Sequence, residues 1–335
     1  MKVISIIGTR PQYIKIRPIH DYCFLNKIDH KIIDTRQHYS HNVSDALIKD
    51  LSLKIDISLA LDISSEINFI LDCTKNLYNA LKQHDPDIVI VYGDTNSTFC
   101  AALAAYKLGI KVAHVESGER CFDNSVPEEV NRIFVDTVSS FNFCSSKDAL
   151  NNIRDGIFSG DLQYELLNNI DPEISYQKFG VMTIHRQSNC KKESIDNILL
   201  LCSKIPFNIK FYVHHRIKSL LPEKIPNNIN LLESCPYTEM VNQLSACSFV
   251  ITDSGGIQKT SAFFGKKTLI MRDTTEWREV ERLGVAKLCG RAEDDLDLLT
   301  SFDQKRYKKC YLRKDGVMPT ELIFKTIERE INNGK

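Results

Sequence analysis

Short runs of β-branched and other apolar residues alternate along this chain with longer stretches whose apolar positions recur at helical spacing. Lys2–Ile7, Lys31–Asp34, Asp87–Tyr92 and Lys111–Val115 have the first pattern and predict strands. Ile14–Leu25, Ile67–Lys82, Ser97–Leu108 and Glu128–Ser139 have the second and predict the helices between them. Asp87–Tyr92 is almost continuously apolar, as a strand buried on both faces must be, so the sheet is parallel and covered by helices on both sides. The pattern restarts after Gly160, with strands over Phe179–Thr183, Ile209–Val213, Asn230–Glu233, Phe249–Thr252 and Lys267–Met271. Helices are predicted over Lys191–Lys204, Thr238–Ala246 and Ile257–Phe264, and a last one over Pro319–Ile331. Two doubly wound α/β units therefore follow one another, joined within Ser159–Lys178. In such sheets ligands bind beyond the carboxyl ends of the strands.

A length of 335 residues suits two domains, because single cores stop growing at roughly 250–300 residues. Lys and Arg together number 43, as do Asp and Glu, and the zero net charge argues against a nucleic-acid binder that depends on bulk positive field. The most basic stretch, Gln304–Lys314, reads as solvated surface. Eleven cysteines without a C-x-x-C pair suit reduced thiols in a cytoplasmic compartment and not a disulfide framework or zinc ribbon. The N-terminus turns polar too soon for a signal peptide, and no apolar run approaches the roughly 20 residues that span a bilayer.

The polar clusters stand where strands give way to helices. In Gly8-Thr-Arg-Pro-Gln-Tyr-Ile-Lys15, Gly8 allows a turn, Pro11 suits a first helical turn, and Arg10 and Lys15 bring cations to a helix N-terminus. Turn punctuation with two surface cations explains the same residues. Asp94, in Tyr92-Gly-Asp-Thr-Asn-Ser-Thr98, is either a functional carboxylate or a helix cap. His114-Val-Glu-Ser-Gly-Glu-Arg120 puts Glu116 just past a buried strand, whereas Glu128, opening the next helix, reads equally well as complement to the helix dipole. Thr252-Asp-Ser-Gly-Gly-Ile-Gln258 runs from strand to helix; its glycines let the backbone approach a ligand, and its free N–H groups suit a pyrophosphate. His214, followed by His215 and Arg216, is a strand-end catalyst or a satisfied neutral histidine. No acidic or cysteine neighbour stands at ligand spacing, so no metal is assigned, and His38 and His41 read as surface residues. The dinucleotide fingerprint and the nucleophile elbow are absent.

Gly8-Thr-Arg-Pro with Lys15, Gly93-Asp-Thr, His114-Val-Glu with Gly118 and Arg120, Pro127-Glu-Glu with Asn131-Arg132, Gly160-Asp161, His185-Arg186, His214 with Arg216, Asp253-Ser-Gly-Gly-Ile-Gln and Met271-Arg-Asp with Thr275-Glu276 follow in an order that resembles the non-hydrolysing UDP-N-acetylglucosamine 2-epimerase family. The match covers nearly the whole chain. The resemblance implies an α/β fold of GT-B architecture: two Rossmann-like doubly wound parallel-sheet domains with the active site in the interdomain cleft. Residues 1–165 with a returning C-terminal helix, 318–335, would form one domain, and residues 166–317 the UDP-binding one.

The implied reaction interconverts UDP-GlcNAc and UDP-ManNAc by elimination of UDP to a 2-acetamidoglucal and re-addition. Proton delivery on both faces calls for more than one acid/base group, and the leaving diphosphate calls for preorganised positive potential. By family position Asp94, Glu116, Glu128 and His214 are the catalytic set. Arg10, Ser254, Gly255 and Gly256 would hold the phosphates and Tyr237 would pack on the uracil. Lys15, Arg132, His185, Arg216 and Thr260 complete the expected substrate contacts. A UDP-sugar is the expected partner, without cofactor, metal, nucleic acid or membrane, and a homodimer is the expected assembly. Thr260 stands where the family has a ribose-binding Glu, so that contact should be weaker or rearranged. Trp277 replaces a frequent Arg, as in relatives acting on UDP-2,3-diacetamido-glucuronate, while Arg120-Cys-Phe-Asp123 resembles enzymes for UDP-6-deoxy-L-hexosamines. Residues after Gln37-His38 differ from those of the allosteric bacterial enzymes, so allosteric activation is not expected. A GT-B glycosyltransferase is the alternative, but Asp273 and Glu281 match its paired acids poorly. A non-catalytic nucleotide-sugar binder would have no need of the retained acids.

Overall fold

The structure is a computed structural model and describes residues 1–37, 41–275, 277–282, 284–289 and 315–333. His38, Glu276 and the basic stretch 304–314 lie outside the described residues, as does the side chain of His41. The chain divides into two compact units, Met1–Asn169 with Cys310–Lys335, and Ile170–Lys309.

The first unit runs β1 (Lys2–Ile7), α1 (Arg10–Leu25), β2 (Asp29–Asp34), α2 (His41–Asp50), β3 (Ile57–Ser58), α3 (Glu66–His84), β4 (Ile88–Tyr92), α4 (Asn96–Lys107), β5 (Lys111–Ser117), α5 (Pro127–Val138), β6 (Phe141–Cys144), α6 (Lys147–Asn151), β7 (Gly156–Phe158) and α7 (Leu162–Ile170). Its strands form one seven-stranded sheet in the order β3-β2-β1-β4-β5-β6-β7, and every pairing is parallel. All five residues of β4 are fully buried, which is why that strand reads as an unbroken apolar run. Connections leave β1 in one direction and β4 in the other, so the switch point, where such sheets bind ligands, lies beyond the carboxyl ends of β1 and β4.

The second unit runs β8 (Gln177–Ile184), a single 3₁₀ turn at Gln187–Asn189, α8 (Lys192–Ser203), β9 (Asn208–Val213), α9 (His215–Lys218), β10 (Ile229–Leu232), α10 (Tyr237–Ala246), β11 (Cys247–Thr252), α11 (Gly255–Phe263), β12 (Lys267–Ile270), α12 (Arg278–Arg282) and β13 (Ala286–Leu288). Its six parallel strands are ordered β10-β9-β8-β11-β12-β13, with the switch point between β8 and β11. Met182, Phe211, Phe249, Ile251 and Leu269 build the core against α8. Gly180 makes room for one of them: a Cβ there would come 2.1 Å from the Phe249 ring.

The last helix, α13 (Pro319–Asn333), belongs to the first unit. Ile323, Phe324 and Ile327 are fully buried, and Phe324 stacks on Tyr22 of α1 at 4.8 Å between centroids. Glu165 of α7 accepts hydrogen bonds from the backbone N–H and the hydroxyl of Thr320, at 2.9 and 2.5 Å, and so caps the start of the helix. Burial pushes the Glu165 carboxyl above its ordinary value.

Two doubly wound units, the restart after Gly160 and the C-terminal helix agree with the pattern of the chain. The short elements α2, β3, β6, α6, β7, α9, α12 and β13 and the 3₁₀ turn were not predicted, and α7 occupies part of the stretch read as a junction. Among the described residues no helix is long and apolar enough to cross a membrane.

Candidate functional site

At the switch point of the first unit, two turns are tied together by one side chain. Gln12, in the first turns of α1, accepts from the N–H groups of Gly8 and Thr9 at 2.8 and 3.0 Å. Its amide nitrogen lies 2.8 Å from the Tyr92 carbonyl, 3.0 Å from Thr95 Oγ1 and 2.9 Å from Thr98 Oγ1. The turn after β1 is thereby fixed to the turn after β4. Gly8 has no room for a side chain, since a Cβ would come 2.1 Å from Thr35 Oγ1 and 2.5 Å from Ser97 Oγ.

Arg10 opens α1 and is exposed, whereas Lys15 is buried and forms an ion pair with Glu116. Glu116 reaches Lys15 from the end of β5 through a backbone irregularity. Its φ is +69°, in the left-handed region that side chains disfavour, and the β5–β6 register shifts between Val115 and Ser117. Strain of this kind is retained where the surroundings over-determine it, characteristically at functional sites. Gly93, at φ +67°, gives the close approach that completes the pair's surroundings: a Cβ on it would lie 3.4 Å from Glu116 Oε2 and 3.9 Å from Lys15 Nζ.

Asp94 follows Gly93. The cap of α4 is its neighbour Thr95, whose hydroxyl accepts from the Thr98 N–H at 3.3 Å, so the capping alternative for Asp94 falls away. The Asp94 carboxylate instead pairs with Arg132 of α5, and its carbonyl accepts from Asn131 Nδ2 at 3.0 Å. Arg132 also reaches Glu129 at 3.1 Å. Glu128 is exposed in the first turn of α5, while Glu129 beside it is 1% exposed and accepts from the N–H groups of Cys121 and Phe122. Burial would raise the Glu129 carboxyl, but those amides and Arg132 outweigh it and hold it below its ordinary value. Four predicted residues, Lys15, Glu116, Asp94 and Arg132, thus come together as two carboxylate–cation pairs at adjoining strand ends. Such carboxylates are equipped to exchange protons, because anything that draws off the paired cation makes the carboxylate more basic.

Residues that sequence reasoning passed over complete the arrangement. Gln12, Glu129 and Asp136 all hold neighbours of the predicted set. Glu129, Arg132 and Asp136 fall on one face of α5 at helical spacing, and that periodic charge pattern is the signal that could have found them.

In the second unit, the wholly buried carboxylate of Asp253 organises the strand ends. It accepts from the N–H groups of His185 at 3.0 Å and Arg186 at 2.8 Å, and from Asn189 Nδ2 at 3.0 Å. Ser254 then enters α11 with no side-chain bond to the helix, Gly255 follows, and a Cβ on Gly256 would meet nothing within 4 Å. A Cβ-free turn entering a helix N-terminus is the kind of backbone that receives an anion. His214 caps the short α9, its Nδ1 accepting from the Arg216 N–H at 3.3 Å, which places the ring hydrogen on Nε2. The His185 ring lies 5.5 Å from that of His214, and the Arg216 side chain is exposed. Thr260 is 2% exposed and its hydroxyl donates to the Gly256 carbonyl of its own helix, while Tyr237, opening α10, is 6% exposed. Beside Thr260, the buried Lys259 sits 3.9 Å over the Trp277 ring. A cavity of about 230 Å³ at the ends of β8 and β12 is lined in part by Arg186, Asn189, Arg272 and Asp273. Among the described residues no group of three or more His, Cys, Asp or Glu is arranged to hold a metal.

Comparison with known proteins adds four findings. A family profile described as UDP-N-acetylglucosamine 2-epimerase matches residues 25–309. The UDP-N-acetylglucosamine 2-epimerase homolog of Methanococcus maripaludis is 34% identical over 96% of this chain and 98% of its own. The UDP-2,3-diacetamido-2,3-dideoxy-D-glucuronate 2-epimerase of Pseudomonas aeruginosa is 32% identical, covering 88% of this chain and 90% of its own. Among solved structures, the Methanocaldococcus jannaschii UDP-GlcNAc 2-epimerase in complex with UDP-GlcNAc and UDP superposes with a TM-score of 0.83 at 29% identity, over 98% of this chain and 100% of that one. The fold is the expected GT-B class.

Proposed function

The chain belongs to the UDP-N-acetylglucosamine 2-epimerase family, and on that footing we propose that it inverts C2 of a UDP-linked 2-acetamido sugar, interconverting UDP-GlcNAc and UDP-ManNAc. In the elimination step a carboxylate takes the C2 hydrogen as a proton. The C2–H electrons become the C1–C2 double bond, and the C1–O electrons leave with UDP. In the return step the UDP oxygen re-forms its bond to C1 while a second acid protonates C2 from the other face.

The observation that carries this reading is the pair of cation-held carboxylates, Glu116 with Lys15 and Asp94 with Arg132, at adjoining strand ends. One supplies the base and the other the acid. A diphosphate that draws Lys15 away would free Glu116 to accept the proton, so binding and basicity are linked. Arg10 and the amides of Ser254–Gly256 would stabilise the charge growing on the departing diphosphate. His214, with its hydrogen on Nε2, would donate to the nucleotide. Thr260, turned back onto its own helix, leaves the ribose to other contacts.

The test is incubation with UDP-GlcNAc in deuterated water, followed by NMR. Deuterium at C2 together with a manno-configured product supports the proposal. Transfer of sugar only when an acceptor is added would replace it with glycosyl transfer. Trp277 and the Pseudomonas aeruginosa relative favour a second substrate, UDP-2,3-diacetamido-glucuronate, and the same assay on that sugar nucleotide decides between the two by relative kcat/KM.

We further read the protein as a cytoplasmic homodimer. None of the ten cysteines among the described residues is in a disulfide, which supports a reducing compartment. A row of exposed apolar side chains on and before α3, Ile63, Ile67 and Leu71, supports cover by a second copy. Light scattering on the purified protein tests the assembly, and a monomer at micromolar concentration would refute it.

A further inference from the structure

His114 stands in the middle of the first unit's sheet, on β5, and is fully buried. Both of its ring nitrogens face acceptors. Nε2 lies 2.8 Å from the Gly93 carbonyl oxygen, which can only accept, so Nε2 carries a hydrogen. Nδ1 lies 2.6 Å from Asp136 Oδ1. The other oxygen of Asp136 takes Arg120 at 2.6 Å and the Gly118 N–H at 3.2 Å. Burial would raise the Asp136 carboxyl, but the hydrogen bond and charge of His114 and the charge of Arg120 outweigh it and hold it below its ordinary value. Asp136, held from its far side by Arg120 and the Gly118 amide, thus anchors the Nδ1 edge of the ring. The Nε2 hydrogen is aimed in a fixed direction.

What that hydrogen fixes is the turn that bears Asp94. The Gly93 N–H donates to the Val115 carbonyl at 3.0 Å, and the Gly93 carbonyl accepts from His114. Both polar groups of this left-handed glycine are thus held by consecutive residues of β5, the strand that also carries Glu116. The geometry points to His114 as a positioning residue for the epimerisation: an imidazole anchored by Asp136 and Arg120 that clamps the Gly93 carbonyl and so sets Asp94 against Glu116. This inference rests on the proposed roles of Asp94 and Glu116.

Two isosteric substitutions separate the clamp from the anchor. His114→Gln places its carboxamide N–H where Nε2 was and keeps the donor to Gly93. His114→Asn places it where Nδ1 was, keeping the partner of Asp136 and losing the clamp. With UDP-GlcNAc in deuterated water, His114→Asn is expected to lose kcat by about a hundredfold, the cost of a misplacement on the order of 1 Å, with KM within about threefold. His114→Gln should recover most of that loss. Equal losses in the two variants, or wild-type kcat in His114→Asn, would overturn the inference. Should His114→Asn fail to fold, ¹⁵N NMR of the wild-type histidines carries the test. A hydrogen on Nε2 of His114 supports the clamp, and a bare Nε2 rules it out. Asp94→Asn and Glu116→Gln are assayed alongside: retained turnover in those variants removes the assignment of the acids, a result distinct from failure of the clamp.

Discussion

Replacing Glu116 by Gln separates what its carboxylate does for the fold from what it does for the reaction. The side chains of Glu116 and Lys15 are only 8% and 11% exposed, so the variant strands the Lys15 charge in a nearly dry site. Breaking a fully buried pair costs about 3–5 kcal/mol, and allowing for the water that still reaches Lys15 leaves about 2–3 kcal/mol. The double variant Lys15→Met/Glu116→Gln removes both charges and should regain most of that stability. Turnover should behave differently, falling about 10²–10⁴-fold in both proteins, because the acid/base group is gone either way. Urea unfolding followed by circular dichroism measures the first quantity, and deuterium incorporation at C2 the second. Equal destabilisation of the single and double variants would refute the buried-pair argument. Unaltered turnover of Glu116→Gln would remove this carboxylate from the mechanism.

Asp253→Ala leaves the His185 and Arg186 amides without their acceptor and should cost about 3–5 kcal/mol in urea unfolding; a loss under about 1 kcal/mol would mean other groups replace it. Gly180→Ala drives a methyl to 2.1 Å from the Phe249 ring, and a loss of about 2–3 kcal/mol is expected by the same measurement, with a neutral result showing that the ring can move aside. The pH dependence of stability carries a signature of Glu165. Its folded pKa is raised by burial, so its contribution is fully present below the ordinary value of 4.5 and is lost as pH rises through the folded value. Relative to Glu165→Gln, the wild type should therefore lose melting temperature from about pH 4.5 upward, and parallel curves would contradict this.

The parts of the fold that were legible are those where burial constrains composition. β1, β4 and β11 sit inside their sheets with helices on both faces, so nearly every residue had to be apolar. α2 and β7 were illegible for the opposite reason, being short and half exposed, with no period long enough to detect. At the site, strand-end placement pointed to Asp94 and Glu116 without showing what holds them. The Lys15–Glu116 pair joins residues 101 apart, which only the sheet order brings together. Adjacent candidates were beyond sequence resolution too. Asp94 and Thr95 are both good caps, and Glu128 and Glu129 both suit a first helical turn, yet it is Thr95 that caps and Glu129 that turns inward. The left-handed conformation of Glu116 had no sign at all, because the residue there is not a glycine.

The return of α13 to the first unit has a consequence for how the protein is made. On the ribosome, the seat for Ile323, Phe324 and Ile327 is translated long before the helix that fills it, with the whole of Ile170–Lys309 emerging in between. At about 5–20 residues per second that interval is on the order of ten seconds, during which the nascent N-terminal unit shows an apolar scar beside Tyr22. A chaperone that shields this scar would act on the unfinished chain alone, and an mRNA truncated near its 3′ end would yield a product that keeps the scar permanently.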